Sequence, residues 1–306
     1  GSVSLLVDLD GNDLYQGSTL AQGAAFCGIG ILWDHKGDDL YLNGQVGQGA
    51  AFFGAGMLVD EKGNDLYSAE LFAQGFGGMR GLGVLIDLSG NDRYLVDGKV
   101  PSSYGTTDTY AGWGQGVGCG FRGFGSGGIG LLLDHRGTDY YQGGDFAQGI
   151  GYFFGLGVLS DLQGNDQYRG SRYAQGAAAH QAAGVLLEDS GNDSYQAVIA
   201  ASQGAGWDAA IGYLADLSGN DRYQALHLSQ GAGAMNGLGL LYDGDGRDHY
   251  ETRTGQGQGS STTYWGGRRA PNLGLLIDHG SDDDTYSLRK NHSSAHNPGT
   301  GLFYDQ

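Results

Sequence analysis

The sequence predicts an all-β fold: a single-stranded parallel β-helix, or solenoid, of about ten coils with about 27 residues in each. The first observation is a motif, Gly-x-Leu-x-Asp-x-x-Gly-Asn-Asp-x-Tyr followed by Gln-Gly, that recurs along the whole chain. The second is its period, which is typical of stacked repeats and too short for a four-stranded propeller blade. The third is glycine, 62 of 306 residues without a triplet pattern, which disfavours helices and collagen.

Each repeat opens with a short apolar strand that ends at an acidic residue. The residue two before the acid, such as Leu32 or Leu58, forms an aliphatic column that predicts the inner core. The residue four before it is glycine, which predicts a tight corner or a close backbone approach. The opening acids are Asp8, Asp34, Asp60, Asp87, Asp134, Asp161, Glu188, Asp216, Asp243 and Asp278.

The opening strand is apolar on both of its faces. Ile31 and Trp33 flank the core residue in one repeat, and Val84 and Ile86 do so in another. Strand side chains alternate between faces, and a strand that is apolar on both is normally covered on both. The outer face is therefore expected to pack either against a second chain or against another segment of the same chain.

A Gly-Asn-Asp turn and a tyrosine follow the opening strand. The turn carries a second acidic column, and the tyrosine and a later glutamine form two further columns. Stacked aromatic rings and amide ladders stabilise in-register strands, so we interpret both of these as structural. The second acids are Asp13, Asp39, Asp65, Asp92, Asp139, Asp166, Asp193, Asp221, Asp248 and Asp284.

The two acidic columns predict a metal site. Like charges repeated at about 5 Å repel by about 1 kcal/mol per pair even in water, so something must offset them. Calcium between coils would do so, because it binds carboxylate and carbonyl oxygens. Asx-turn hydrogen bonds to the acids are the alternative, and nearby basic residues such as Lys36 are a third contribution. The predicted metal ligands are Asp8, Asp13, Asp34, Asp39, Asp60, Asp65, Asp87, Asp92, Asp134, Asp139, Asp161, Asp166, Asp193, Asp216, Asp221, Asp243 and Asp248.

The turn also resembles a known family. Gly11-Asn12-Asp13-Leu14-Tyr15 and its copies resemble the Gly-x-Asp-x-apolar half of the calcium-binding repeats of secreted RTX proteins. The resemblance implies calcium as a cofactor, bound between adjacent turns. The ligands that it implies are Asp13, Asp65, Asp92, Asp166, Asp193 and Asp221.

Residues 1–306 are expected to form one continuous solenoid, a fragment of a longer array, interrupted by insertions near 95–114, 117–130 and 259–273. Function on a solenoid concentrates where insertions leave one face. Aromatic and arginine side chains in and between these insertions predict a glycan-binding groove. Its candidate residues are Tyr104, Tyr110, Trp113, Arg122, Trp207, Tyr264, Trp265 and Arg268.

One pair of side chains between the insertions could carry acid–base chemistry or hold a metal. His180 and Asp208 occupy the same position of neighbouring repeats, so they are expected about 5 Å apart. The alternative interpretation is that they are ordinary surface substitutions on one face of the stack. No nucleophile elbow, phosphate-binding loop or zinc pattern occurs in the sequence.

The composition sets limits on partners and location. A net charge of -18 disfavours nucleic acid and anionic membranes, and no apolar run is long enough for a transmembrane helix. We expect a non-enzymatic structural or adhesive solenoid on a bacterial surface or outside the cell, stabilised by calcium. The alternative is a polysaccharide-binding or polysaccharide-degrading protein, since a long parallel β-helix resembles the fold of pectate-lyase-like enzymes. A module whose only partner is a second copy is the third possibility.

Overall fold

A computed structural model describes residues 1–254, 256–262, 272–280, 282–289, 293–297 and 301–306. It confirms an all-β parallel solenoid of about ten turns, with about 27 residues per coil. Every regular element in these ranges is a strand. The described residues contain no helix long and apolar enough to cross a membrane. Each coil runs through three sheets in turn, so a given position stacks on the same position of the next coil.

The acid sheet contains the opening strands of the repeats. Its strands pair in parallel without a register shift, so that Gly30 lies beside Gly56 and Asp34 beside Asp60. An antiparallel strand, Ser294–Asn297, pairs with the last of them. Within the described residues the strands are Val3–Val7, Ile29–Asp34, Ala55–Asp60, Leu82–Asp87, Ile129–Leu133, Leu156–Asp161, Ala183–Glu188, Ile211–Asp216, Leu238–Asp243, Leu273–Asp278, Gly301–Asp305 and Ser294–Asn297.

The tyrosine sheet follows the Gly-Asn-Asp turn. Its register also holds across the long insertion, because Tyr94 pairs with Tyr141 although 47 residues separate them. The insertion itself adds a short antiparallel pairing of Val100–Pro101 with Tyr110–Gly114. The strands of this sheet that the structure describes are Leu14–Ala21, Leu40–Gly47, Leu66–Ala73, Arg93–Val96, Val100–Pro101, Tyr110–Gly114, Tyr140–Gly143, Asp145–Ala147, Gln167–Gly170, Ser194–Ala197, Arg222–Ala225, His249–Thr252 and Thr285–Tyr286.

The short sheet closes each coil after the Gln-Gly turn. At this turn Gln48 has φ 53° and Gly49 has φ 74°, and a side chain on Gly49 would collide with a carbonyl oxygen of a neighbouring coil. Gln-Gly is therefore the corner that the repeat requires. The described strands are Gly118–Cys119, Gly151–Tyr152, Ala178–Ala179, Gly206–Trp207, Gly233–Ala234 and Ser261–Thr262, with Ala25–Phe26 and Ala51–Phe52 as a separate pair.

The core consists of a leucine column packed against a tyrosine column. Successive tyrosine rings lie 4.7–4.9 Å apart with their planes within 2–5° of each other. Sheets normally twist by about 20° per strand, so this stack is almost flat. The predicted aliphatic core column is confirmed, and the tyrosine column, predicted as a structural stack, lies in the core with it. The glycine column faces inward as well, and a side chain on Gly56 would meet the carbonyl oxygen of Ala50 at 2.3 Å.

The outer face of the acid sheet is apolar and open. Its outward positions alternate with the inward glycine, leucine and acid, and Ile29, Ile129 and Ile211 remain 46%, 42% and 51% exposed. Ser160 is polar, and the other outward positions from Ile29 to Ile277 are apolar or tyrosine. Among the residues that the structure describes, no segment of the same chain covers these exposed positions.

Candidate metal centre

The opening acids point into the solenoid because they alternate with outward side chains along the acid sheet. Asp60 is completely buried and Asp34 nearly so. Oδ2 of Asp60 accepts a hydrogen bond of 2.6 Å from the hydroxyl of Tyr41 in the preceding coil, and Oδ1 accepts one of 3.0 Å from the backbone N–H of Lys62. Both oxygens of this acid are therefore satisfied by the protein.

The second acids lie at the Gly-Asn-Asp corner and also point inward. Oδ1 of Asp39 accepts a hydrogen bond of 2.6 Å from the backbone N–H of Asp13, and Asp39 donates in the same way to Asp65. The pattern continues through the stack to Asp284. This bond is not an Asx turn, because the amide that it binds belongs to the preceding coil. The Asx-turn alternative holds at the opening acids instead, where Oδ1 of Asp34 and of Asp60 accepts from the backbone N–H two residues further along the chain.

In eight of the second acids the other oxygen has no hydrogen-bond partner among the described residues. Oδ2 is buried and unpartnered in eight consecutive coils, and the side chains that carry it are at most 2% exposed. A buried polar atom without a partner costs free energy, and each such atom requires an explanation such as an unseen water or ion. These atoms belong to Asp39, Asp65, Asp92, Asp139, Asp166, Asp193, Asp221 and Asp248.

The unpartnered oxygens lie next to the opening acids of two coils. Asp34, Asp39 and Asp60 each offer an oxygen within 4.8 Å of the others, and so do Asp134, Asp139 and Asp161. Similar triads recur along the described part of the stack, beginning with Asp8, Asp13 and Asp34. The structure therefore brings the two predicted acidic columns together into a single inner file of carboxylates. An oxygen-only donor set of this kind fits a hard divalent cation.

Burial governs the protonation of this file. It raises the pKa of Asp65 to about 9, and the carboxylate of Asp60 adds to the shift. Burial likewise raises the pKa of Asp248 to about 9, and its neighbour Asp243 contributes. Desolvation disfavours the charged form, and like charges disfavour it further. In the absence of a cation the file therefore holds protons at neutral pH.

Some residues of the centre were absent from the predicted metal ligands. Glu188, Asp278 and Asp284 occupy the same two columns. The tyrosine hydroxyls, which we interpreted only as parts of a stack, are the donors to the opening acids, as in Tyr141 to Asp161 at 2.7 Å. The signal for this contact is present in the sequence, because acid and tyrosine keep fixed positions in the motif and an in-register stack brings each tyrosine close to the acids of its own and the neighbouring coil.

The predicted groove residues lie at several separate places. Trp113 is stacked on Phe146, and Tyr104 lies with Trp207 at one cavity, whereas Tyr110 lines a different depression beside Arg169. The predicted residues Tyr264, Trp265 and Arg268 lie outside the described residues, as does most of the insertion at 259–273.

His180 and Asp208 are in contact, as their positions in neighbouring repeats predict. Nδ1 of His180 lies 2.7 Å from Oδ2 of Asp208, and its Nε2 lies 2.5 Å from a guanidinium nitrogen of Arg122. Burial lowers the pKa of His180, and the positive charge of Arg122 acts in the same direction. A neutral imidazole that donates to the carboxylate has its remaining lone pair occupied by Arg122. The arrangement joins the 117–130 insertion to the stack through Arg122.

Comparisons of the chain with family models, with curated proteins and with solved structures give no match.

Proposed function

We propose that this chain is a structural, non-enzymatic β-solenoid of the cell surface or extracellular space, stabilised by calcium ions bound between its coils. The observation that carries the proposal is the unpartnered Oδ2 of the second acids, repeated in eight buried positions beside two opening acids. Calcium accepts six to eight oxygen ligands from carboxylates and backbone carbonyls. A bound cation would remove both the missing contact and the mutual repulsion of the acids.

Charge balance supports one divalent cation per coil. Each repeat contributes one opening acid and one second acid to the inner file, a total of two negative charges when both are ionised. Buried charges are tolerated when they are paired or coordinate a metal. Extracellular calcium modules work with dissociation constants of about 10⁻⁴ to 10⁻³ M, which suits a protein in a calcium-rich environment.

Metal analysis combined with thermal melting tests the calcium proposal. We expect mass spectrometry of the purified protein to find several calcium ions per chain, and EDTA to lower the melting temperature markedly. Asp166→Asn keeps an oxygen for the N–H of Asp139 and places an NH₂ group where the unpartnered oxygen lies. This variant should lose one or two calcium ions, whereas Asp189→Asn, which changes an exposed acid, should lose none. Absence of metal together with identical melts in calcium and EDTA would refute calcium binding.

The open face of the acid sheet supports lateral association with a second copy as part of the structural function. The acid sheet has eleven parallel strands about 4.8 Å apart, and each strand is about five residues long. Its outer face therefore measures roughly 50 by 16 Å. That area is about 800 Å², which is what one partner buries in a standard stable interface. The face is flat and uncharged, so two copies can pack along their length without bringing like charges together.

Sedimentation analysis tests the association. We expect a dimer at micromolar concentration, and Leu131→Lys with Val158→Lys should dissociate it because both side chains point outward at the middle of the face. Ser194→Lys changes an outward position of the tyrosine sheet and should leave the dimer intact. A wild-type protein that remains monomeric at high concentration would exclude this part of the proposal, and the calcium measurements would be unaffected.

A further inference from the structure

A second column of aromatic side chains lies apart from the leucine and tyrosine columns, in a second hydrophobic cluster, at the position two residues before the glutamine. Phe72, Trp113, Phe146 and Tyr173 occupy it in successive coils. Trp113 stacks on Phe146 at 3.8 Å and 10°, and Phe146 stacks on Tyr173 at 4.9 Å and 13°. Three rings therefore form a continuous stack along the solenoid axis that ends at Tyr173.

The stack is interrupted by a small residue in the next coil. The equivalent position there is Ala201, and a large side chain, Leu228, returns one coil later. Coils are separated by 4.7–4.9 Å, so the missing ring leaves a slot about one ring thick between Tyr173 and Leu228. A cavity of about 230 Å³ occupies this place. It is lined by Tyr104, Arg172, Tyr173, Ala200, Ala201, Trp207, His227, Leu228 and Gln256.

The charge of the slot is balanced by the protein. The guanidinium of Arg172 lies 4.2 Å from the ring of Tyr104 and 3.3 Å from the buried carboxylate of Asp145. Burial lowers the pKa of His227, and Arg172 contributes, so this imidazole is neutral at pH 7. None of the lining residues is acidic, in a chain whose net charge is -18. The slot therefore favours a neutral ligand.

We propose that this slot binds a pyranose ring of a neutral glycan, with one face of the sugar stacked on Tyr173. A pyranose has apolar C–H groups on its faces and hydroxyls around its rim. The slot supplies an aromatic platform for a face, and His227 and Gln256 supply polar groups at the edge. Its volume lies below the range of about 300–1,000 Å³ for drug-sized ligands, so one sugar ring is the unit that it accommodates. This site is independent of the inner acidic file.

A glycan array followed by calorimetry with the best neutral oligosaccharide tests the site. We expect the wild-type chain to bind, and Tyr173→Ala to weaken binding at least tenfold through loss of the platform. Ala201→Leu should weaken it to a similar extent by filling the slot. Ala201 lacks the left-handed backbone that Leu228 has (φ 46°), so the melting temperature of Ala201→Leu is measured beside its affinity to separate a filled slot from a disturbed fold.

The control is Phe72→Ala, which shortens the same aromatic column at its far end and should leave glycan affinity within twofold of wild type. No binding to any glycan, or unchanged affinity in Ala201→Leu, would overturn the proposal. Binding of a planar aromatic probe such as indole, with no sugar bound, would overturn the assignment to carbohydrate. A melting curve for each variant separates loss of binding from loss of fold.

Discussion

At the scale of single residues, the core tyrosines connect the apolar core to the acidic file. The ring of Tyr141 stacks between Tyr94 and Tyr168, and its hydroxyl donates to Asp161 in the following coil. The residue therefore contributes apolar burial through its ring and a charge-assisted hydrogen bond through its hydroxyl. Phenylalanine would preserve the first contribution and remove the second.

Tyr141→Phe is expected to lower the free energy of unfolding by about 2 kcal/mol, because it removes the 2.7 Å hydrogen bond to the buried Oδ2 of Asp161 and leaves only the 3.4 Å bond from Tyr168. The adjacent Tyr140 points outward and its hydroxyl contacts Gln142 at the surface. Tyr140→Phe should change stability by less than about 0.5 kcal/mol. Urea denaturation of the two variants measures both values, and equal losses would show that the buried hydroxyl has no special role.

At the scale of the strands and turns, much of the structure could be predicted because the repeat fixes which positions stack. The leucine, tyrosine and glycine columns follow from spacing alone, as does the contact of His180 with Asp208 in neighbouring coils. An in-register stack converts equal positions in the motif into neighbours in space. Contacts between equal positions of the motif therefore needed no information beyond the spacing.

Contacts that cross between different positions of the motif could not be predicted in this way. Nε2 of Gln48 donates to the backbone carbonyls of Tyr41 and Ser68. The predicted ladder, in which each glutamine amide bonds to the next glutamine, is therefore wrong about the acceptor. The direction of that amide depends on the left-handed backbone at Gln48, which spacing does not reveal. Arg122 reaches His180 over 58 residues from within an irregular insertion, where no periodicity applies.

At the scale of the whole molecule, the acidic file predicts how stability depends on pH. In calcium-free protein the pKa of Asp65 and Asp248 is about 9, well above the ordinary aspartate value of 3.8. The folded state thus binds protons at these groups more tightly than the unfolded chain. Their contribution to stability is fully present below about pH 4 and is lost as the pH rises through about 9.

The melting temperature in EDTA should therefore fall steadily between pH 5 and pH 9. Exposed acids are already ionised at pH 5 and add little to this slope. Excess calcium should reduce the fall, because the cation replaces the protons that leave the file. Calorimetry at several pH values, with calcium and with EDTA, measures both slopes. A melting temperature in EDTA that is constant or rises over this range would contradict the assigned protonation of the file.

The inter-coil hydrogen bond of the second acids has a consequence for how such a rod can change in length. Each of these acids accepts from the coil before it and donates to the coil after it, and the bond from Asp92 to Asp139 remains 2.6 Å across the long insertion. If one whole coil were removed or duplicated, the coils that become neighbours would still offer each other the same backbone N–H and carboxylate oxygen. The length of the solenoid can thus change in steps of one whole coil while the hydrogen bonds between the second acids are kept.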